Sequence, residues 1–338
     1  MRAPALRLAL LLLGAGALTG LADAPAPSAR LLPDAEARWI DFTLTPGNQP
    51  LFTASLNGVP ARAILDTGVT ASVASPEFAA RAGLKVRRGG AARAIGGDIG
   101  YGIAAVGALG VGGLRRIGGT VTVAPLPATA TGTAEGLDLL IGADLLHRFA
   151  LDIDFPARRF RLLPSGRLPF RGAVAPLALA RGSPVYLTAV TLAGYKLWPL
   201  VIDTGDGAAL TLSRPAFRRL TLPGVRFTTT IAYGLGGAQP SELAIVPHVA
   251  LGAATLGETE LRIEPEGGFA QRLGVSGRIG TGLLDQHRVL LDPGAGRLVI
   301  APATDPRPPP RSTSGLLLRR EGALLRVLHV MRGGPAEA

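Results

Sequence analysis

The tripeptide Asp-Thr-Gly occurs twice in the 338-residue chain, at positions 66–68 and 203–205. Each copy directly follows three apolar residues, 63–65 and 200–202, which predict the end of a buried strand. The glycine allows the chain to turn sharply after each carboxylate. Two carboxylates that meet cannot both ionise cheaply, so one of them keeps a proton. Asp66 and Asp203 could then work as a general acid–base pair, in which one activates a water and the other donates a proton.

The surroundings of the two tripeptides also repeat, which indicates an internal duplication. The repeated features are a turn signal, a Gly-Gly pair and a segment that ends in Ile-Gly: residues 56–58, 96–97 and 140–142 around the first copy, and 192–194, 236–237 and 278–280 around the second. The duplication predicts an N-terminal lobe at residues 37–164, a connector at 165–174 and a C-terminal lobe at 175–302. Because the two carboxylates occupy equivalent points of the two lobes, they are expected to share one site.

The elements that must position the carboxylates are predicted to be mostly short strands. The chain holds 46 glycines and 28 prolines, which favour strands and turns over long helices. Helical signals are brief, and two of them begin at a proline. The expected helices are residues 76–82, 142–149, 215–220 and 280–287. The sequence therefore predicts an all-β fold, mainly β with a few short helices.

The N-terminus carries the signals of an exported protein. Arg2 and Arg7 precede an apolar stretch at residues 9–21, and Ala22-Asp23-Ala24 resembles a cleavage site. A membrane anchor is the alternative, but the stretch is shorter than the about 20 residues a span needs and is interrupted by glycines. We expect a signal peptide at 1–24, a linker at 25–36, export to a bacterial periplasm, and no stable membrane insertion after cleavage.

Composition argues against several other classes of function. The formal charge is +11, but the arginines are scattered and lack interleaved aromatic residues, so a nucleic-acid partner is not expected. No cysteine is present, which excludes a thiol nucleophile and a disulfide framework. The four histidines show no metal-binding spacing, and no nucleotide-binding motif occurs. We therefore expect neither a metal nor another cofactor.

These motifs resemble the retropepsin-like and pepsin-like aspartic peptidases, over residues 37–302. The resemblance implies two homologous acid-protease-type β-barrel lobes with pseudo-twofold symmetry, fused in one chain. It also implies a monomer with one intramolecular site, as in bacterial periplasmic proteins that add a PDZ domain. Residues 303–314 read as a proline-rich linker, and residues 315–338 resemble the opening of a PDZ domain that is left incomplete; an unrelated tail is the alternative.

The resemblance also assigns roles to the site residues. Asp66 and Asp203 would be the catalytic dyad. Thr67 and Thr204 would cross-link the two loops, and Gly68 and Gly205 would let the backbone pass close to the dyad. Hairpins at Gly96-Gly97 and Gly236-Gly237 would be flaps over an extended polypeptide substrate, although an ordinary hairpin turn is the alternative for each.

The residues after each tripeptide depart from the retroviral pattern, which has a small residue there. This chain has Val69 in the first loop and Asp206 in the second, both placed in the expected substrate cleft. Asp206 would either favour a basic substrate side chain or raise the pKa of the dyad by charge repulsion. A solvated loop carboxylate without a role is the alternative.

The function predicted from sequence is that of an exported aspartic endopeptidase, which hydrolyses peptide bonds with a water activated by Asp66 and Asp203. The alternative is a peptide-binding module of the same fold with weak or no catalysis. The presence of both carboxylates favours the enzyme.

Overall fold

The computed structural model describes residues 27–337. The predicted signal peptide, residues 1–24, lies outside the described residues. Within residues 27–337 no helix has both the length and the apolar character needed to cross a membrane.

The all-β prediction is confirmed, because strands dominate the regular structure. The strands up to residue 163 are β1 (Ser28–Leu31), β2 (Ile40–Asp41), β3 (Thr43–Leu44), β4 (Pro50–Leu56), β5 (Val59–Leu65), β6 (Val73–Ala74), β7 (Val86–Ala94), β8 (Gly97–Ala105), β9 (Ala108–Val111), β10 (Leu114–Ile117), β11 (Thr120–Val123), β12 (Leu139–Ile141), β13 (Ala150–Asp154) and β14 (Arg159–Leu163). The strands after residue 172 are β15 (Ala173–Pro176), β16 (Ala178–Leu179), β17 (Tyr186–Leu192), β18 (Tyr195–Asp203), β19 (Leu210–Leu212), β20 (Phe227–Gly234), β21 (Gly237–Val246), β22 (Val249–Leu251), β23 (Ala254–Leu256), β24 (Thr259–Ile263), β25 (Gly277–Gly280), β26 (Arg288–Asp292), β27 (Arg297–Ile300), β28 (Leu316–Glu321) and β29 (Leu324–Val330).

Five short α-helices occur in the described part of the chain. They are α1 (Pro76–Arg81), α2 (Ala143–Leu146), α3 (Arg214–Phe217), α4 (Phe269–Leu273) and α5 (Thr281–Leu284). The Ser75 and Ser213 hydroxyls cap α1 and α3 by accepting hydrogen bonds from backbone amides of the first turn. The helices predicted at 142–149, 215–220 and 280–287 are longer than the helices observed there. Each of these helices is a single turn, and for α2 and α5 the chain must reverse at once into β13 or β26.

The first half of the chain forms an eleven-stranded sheet. Its order is β1-β10-β9-β4-β5-β12-β6-β11-β8-β7, with β3 beside β4. Alternation along β4 buries Phe52, Ala54 and Leu56. Asn57 and Gly58 both have positive φ values, 51° and 82°, so the predicted hairpin turn before the first Asp-Thr-Gly is present.

The second half forms a ten-stranded sheet that repeats this pairing. Its order is β20-β21-β24-β19-β25-β18-β17-β22-β23, with β16 beside β17. The predicted turn between β17 and β18 is also present, with Ala193 at φ 50° and Gly194 at φ 79°. In both halves the strand that ends at the Asp-Thr-Gly lies parallel to a later strand: β5 beside β12, and β18 beside β25.

A third sheet joins the two halves. Its order is β15-β27-β26-β13-β14-β2, and β13 of the first half pairs antiparallel with β26 of the second. Asp152 on β13 is completely buried, and its carboxylate accepts hydrogen bonds from Arg161 Nε (2.9 Å) and from Arg288 Nε (2.9 Å) and Nη2 (2.7 Å). The halves are therefore connected by a backbone ladder and by a buried ion pair.

The C-terminal segment folds back onto the second half. β28 and β29 form a two-stranded hairpin, followed by a short 3₁₀ turn at Pro335–Glu337. The hairpin is fastened to β20, because Thr229 Oγ1 bonds His329 Nε2 (2.8 Å) and accepts a hydrogen bond from Arg332 N (3.1 Å). Thr228 Oγ1 also donates to the Arg332 carbonyl oxygen (2.7 Å).

Candidate active site

The two Asp-Thr-Gly loops lie side by side, at the ends of β5 and β18. The Asp66 amide donates to the carbonyl oxygen of Ile141 on the neighbouring strand (3.0 Å), so β5 is held up to the carboxylate itself. Asp203 is the last residue of β18 and pairs with Gly280 of β25. The duplicated strand pairs thus deliver two carboxylates to one place.

Thr67 and Thr204 tie the two loops together by reciprocal hydrogen bonds. Thr67 Oγ1 donates to the Ile202 carbonyl (2.8 Å) and accepts from the Thr204 amide (3.1 Å). Thr204 Oγ1 donates to the Leu65 carbonyl (2.6 Å) and accepts from the Thr67 amide (3.1 Å). Both threonines are completely buried. Each hydroxyl satisfies one donor and one acceptor, which fixes the spacing of the loops.

Gly68 and Gly205 allow each loop to pass against the opposite carboxylate. A Cβ atom added at Gly68 would overlap the carboxylate of Asp203, and one added at Gly205 would overlap that of Asp66. Glycine is required here because of this close approach, since neither residue has a positive φ.

The pKa values of the two carboxylates are raised to different extents. Loss of hydration raises the pKa of Asp66 to about 6, although amide hydrogen bonds from Gly68 and Val69 (both 3.0 Å) oppose the rise. Burial and the charges of Asp66 and Asp206 raise the pKa of Asp203 well above its ordinary value, and Arg278 partly offsets this. The two carboxylates are close enough for the charge of Asp66 to raise the pKa of Asp203 directly. Because the pKa of Asp203 is raised the more strongly, Asp203 is the member that holds the proton shared by the pair, and Asp66 is the member that ionises first.

A buried arginine lies beside the pair and was missed in the sequence analysis. Arg278 Nε donates to Asp206 Oδ2 (3.1 Å) and lies 3.8 Å from Asp203 Oδ2, while Arg278 Nη1 donates to Glu264 Oε1 (2.6 Å). The side chains of Arg278 and Glu264 are 4% and 1% exposed. A signal was present: Arg278 interrupts an apolar segment in which the first copy has Leu140.

Asp206 is held by this arginine, so its interpretation as a solvated loop carboxylate is wrong. Its side chain is 11% exposed, and Oδ1 accepts a hydrogen bond from the Ala208 amide (2.9 Å). Although burial alone would raise it, the positive charges of Arg278 and Arg262 lower the pKa of Asp206 below its ordinary value. Asp206 is therefore a fixed negative charge that raises the pKa of both Asp66 and Asp203.

The Gly-Gly pairs occupy the turns of two hairpins that meet tip to tip. Gly96 and Gly97 join β7 to β8, and Gly236 and Gly237 join β20 to β21. The Gly236 amide donates to the Ile95 carbonyl oxygen of the opposite hairpin (3.0 Å). Added Cβ atoms at Gly96 and Gly236 would overlap the other hairpin's backbone. The two glycine pairs thus make a close contact between the halves.

The β7–β8 hairpin is also anchored to α4 of the second half. Arg272 Nη1 lies 3.1 Å from Asp98 Oδ1, and Nη2 donates to the Ala94 carbonyl (3.2 Å). Arg93 Nη1 donates back to the Arg272 carbonyl (2.6 Å). Opening of the tips therefore has to break contacts to the opposite half.

The hairpins and the two loops enclose a cavity of about 1280 Å³. Asp66 and Asp203 line it, as do Val69 and Asp206. The C-terminal segment adds further walls from Pro306–Pro310 and from the β28–β29 hairpin. Its contribution was not predicted, because the sequence indicates a linker there and gives no contact partner.

Within the described residues 27–337, no group of three or more His, Cys, Asp or Glu side chains could hold a metal ion. The carboxylates nearest the dyad, Asp206 and Glu264, are instead bound to the guanidinium of Arg278. Asp66 and Asp203 can themselves do acid–base chemistry, because they are paired carboxylates whose pKa values are raised.

Comparison with known proteins bears on part of this site. Residues 52–145 match the family model described as Aspartyl protease. The match runs from β4 to α2 and includes the first Asp-Thr-Gly, the β7–β8 hairpin and the Leu140-Ile141-Gly142 segment. A comparison with curated proteins gave no match. In sequence, this part of the chain is similar to the aspartyl protease family.

Proposed function

We propose that the protein is an aspartic endopeptidase with Asp66 and Asp203 as its catalytic dyad. The observation that carries the proposal is geometric: the reciprocal hydrogen bonds of Thr67 and Thr204 hold the two Asp-Thr-Gly loops together, so that each loop lies against the carboxylate of the other. The aspartyl protease match to residues 52–145 supports peptidase activity in general.

The reaction follows from the protonation of the pair. Asp66, ionised, takes a proton from a water bound between the carboxylates, and the water oxygen adds to the peptide carbonyl carbon. Asp203 gives its proton to the carbonyl oxygen, which produces a tetrahedral diol. The proton on Asp66 then passes to the amide nitrogen as the C–N bond breaks. A hydroxyl proton of the diol returns to Asp203, so the pair ends in its starting state.

The substrate we propose is a polypeptide bound in extended form. The β7–β8 and β20–β21 hairpins cover the cavity and offer backbone groups for strand addition. Their tips must separate to admit a chain and close again over it, which would exclude bulk water from the dyad. Because one chain supplies both carboxylates, we propose a monomeric enzyme that needs neither nucleic acid nor a cofactor. Export to the periplasm is proposed on the N-terminal sequence alone.

Digestion of a peptide library tests the proposal. Wild type, Asp66→Asn and Asp203→Asn are incubated with the library between acidic and neutral pH, and the products are identified by mass spectrometry. We expect cleavage by wild type and a loss of at least about a thousandfold in both variants. Equal behaviour of all three proteins would overturn the dyad assignment. Binding of peptides by wild type without cleavage would instead favour a peptide-binding module.

A further inference from the structure

The two halves place chemically different side chains at equivalent points around the dyad. Three residues after each catalytic aspartate the chain has Val69 in the first half and Asp206 in the second. On the adjoining parallel strands, Leu140 pairs with Ile64, whereas Arg278 pairs with Val201.

A third equivalent pair follows from the next strand in each sheet. Thr122 of β11 pairs with Val73, and Arg262 of β24 pairs with Thr211. Two residues further along the chain are Ala124 in the first half and Glu264 in the second. Val69, Ala124 and Leu140 thus correspond to Asp206, Glu264 and Arg278.

The first-half region is apolar throughout. Val69, Ala124 and Leu140 belong to one cluster with Leu126 and Leu137, and each is 2–6% exposed. Except for Ala124, all of them line the cavity that contains the dyad. A substrate side chain on this side of the dyad would meet hydrocarbon.

The second-half region is charged. Asp206, Glu264 and Arg278 line the cavity. Arg262 and Glu260 line it as well, and Arg262 Nε lies 2.9 Å from Glu260 Oε1. Three carboxylates and two guanidinium groups give a net charge of −1. The two oxygens of Asp206 each accept a single hydrogen bond, from Ala208 N and Arg278 Nε, so the carboxylate keeps acceptor capacity.

A buried hydroxyl in the same region also has unused hydrogen-bonding capacity. Thr211 Oγ1 has no hydrogen-bond partner among the described residues, and Thr211 lines the cavity. An apolar substrate side chain would dehydrate the surrounding charges without compensation. A lysine or arginine side chain would supply hydrogen-bond donors and the missing positive charge.

We propose, on the basis of the proposed endopeptidase function, that the enzyme selects an apolar side chain on one side of the cleaved bond and a basic side chain on the other. The apolar preference comes from Val69, Leu140 and their cluster. The basic preference comes from the net negative group centred on Asp206, Glu264 and Arg278.

A variant that copies the first half into the second tests this proposal. In Asp206→Val/Glu264→Ala/Arg278→Leu the three charged residues become their first-half counterparts. Removing all three together leaves no member of the triad unpaired. Cleavage sites in a peptide library are compared at one pH as ratios of rates, because the substitutions also alter the dyad. Arg218→Ala/Glu266→Ala, an exposed pair on the second half, is the control for loss of charge.

Wild type and the control should prefer lysine or arginine over leucine on one side by about tenfold or more, and the triple variant should lose or reverse that preference. The apolar preference on the other side should persist in all three proteins. Cleavage between two apolar residues by wild type, or enrichment of acidic residues, would overturn the proposal.

Affinity selection of peptides separates this proposal from the proposed function. Two variants that should not cleave are used to select peptides from the same library. The first carries Asp66→Asn alone, and the second carries Asp66→Asn together with the triple substitution. Selection of basic peptides by the first protein, lost in the second, supports the charged region even if wild type cleaves nothing. Equal selection by both proteins would refute it even if wild type is an active peptidase.

Discussion

At the scale of single residues, the charge environment of the dyad is asymmetric. Arg278 lies 3.8 Å from Asp203, while Asp206 raises the pKa of both dyad carboxylates. The counterparts of Arg278 and Asp206 in the first half are uncharged. The asymmetry determines which carboxylate holds the proton, and it can be tested by two substitutions.

Replacing Asp206 by asparagine should move the acid limb of the pH–rate profile to lower pH. In the proposed mechanism Asp66 has to be ionised to activate water, so kcat/KM of wild type should fall as the pH drops below about 6. Asp206→Asn removes a negative charge, which lowers the pKa of Asp66 and keeps it ionised in more acidic solution. Glu258→Gln, which removes an exposed carboxylate at the cavity wall, is the control. An unchanged or alkaline-shifted limb in Asp206→Asn would contradict the role given to Asp206.

Replacing Asp203 by asparagine should stabilise the protein, and more so as the pH rises. The pKa of Asp203 is raised in the folded state, so its favourable contribution is complete below the pKa of the unfolded chain and is lost as pH rises through the folded-state value. Urea midpoints of wild type and Asp203→Asn should therefore differ more at pH 8 than at pH 4. Asp41→Asn, at an exposed site on β2, controls for the substitution itself. A difference that shrinks with rising pH would show that the carboxylate is not destabilised by burial.

At the scale of elements, the two hairpins close the cavity through glycine contacts that leave no space for a side chain. Gly236 packs on the backbone of Gly97, and its φ is not positive, so a methyl group there would act by overlap alone. The hairpin tips are therefore the part of the fold where a very small change should affect substrate entry without disturbing the cores.

Gly236→Ala should separate the hairpin tips and lower kcat/KM by about tenfold, while thermal unfolding changes little. Gly100→Ala is the matched control, because Gly100 lies on β8 of the partner hairpin and an added Cβ there meets no atom within 4 Å. Peptide hydrolysis and circular dichroism melting are measured for both. Similar kinetics in the two variants would show that the tip contact is irrelevant to catalysis.

Local signals in the sequence predicted some elements and missed others for physical reasons. α1 was predicted because Pro76, its first residue, carries the start signal within the helix itself. α4 was missed because the acceptor for the Ala270 amide in its first turn is Glu264 Oε2 (2.7 Å), which belongs to the segment before the helix. An N-terminus completed from a distance leaves no local pattern of Ser, Thr, Asp or Asn to read.

At the scale of the whole molecule, the third sheet joins the two halves through shared strands. β13 and β26 pair along four residues, and Asp152 binds both Arg161 of its own half and Arg288 of the other. The position of one dyad carboxylate relative to the other therefore depends on this sheet as well as on the threonine cross-link.

Asp152→Asn should destabilise both halves together, by about 3–5 kcal/mol, because it leaves two partly buried arginines without their carboxylate. Urea unfolding followed by tryptophan fluorescence is compared for Trp198→Phe, which retains Trp39 of the first half, and for Trp39→Phe, which retains Trp198 of the second. Within each background, Asp152→Asn should lower the midpoint in a single transition. The exposed pair Arg218→Ala/Glu266→Ala should cost only about 0–1 kcal/mol. A shift confined to one background would mean that the halves unfold independently.

The meeting of Asp66 and Asp203 in one place could be predicted from sequence, while the charged region around them could not. Asp66 and Asp203 are marked by a repeated tripeptide, which requires no knowledge of the fold. Arg278 and Glu264 are separated by fourteen positions and become neighbours only through the pairing of β19 with both β24 and β25. Such a contact depends on strand order and register, and the local sequence predicts neither of them.

The presence of both halves in one chain also allows the two sides of the site to diverge independently during evolution. An enzyme assembled from two identical subunits receives every substitution twice, so its two binding surfaces must remain the same. Here a substitution in one half leaves the other untouched, and Val69 and Asp206 occupy equivalent places with opposite chemistry. Under the proposed function, this independence of the halves would let the cleft recognise a substrate that differs on its two sides, while the two aspartates stay matched.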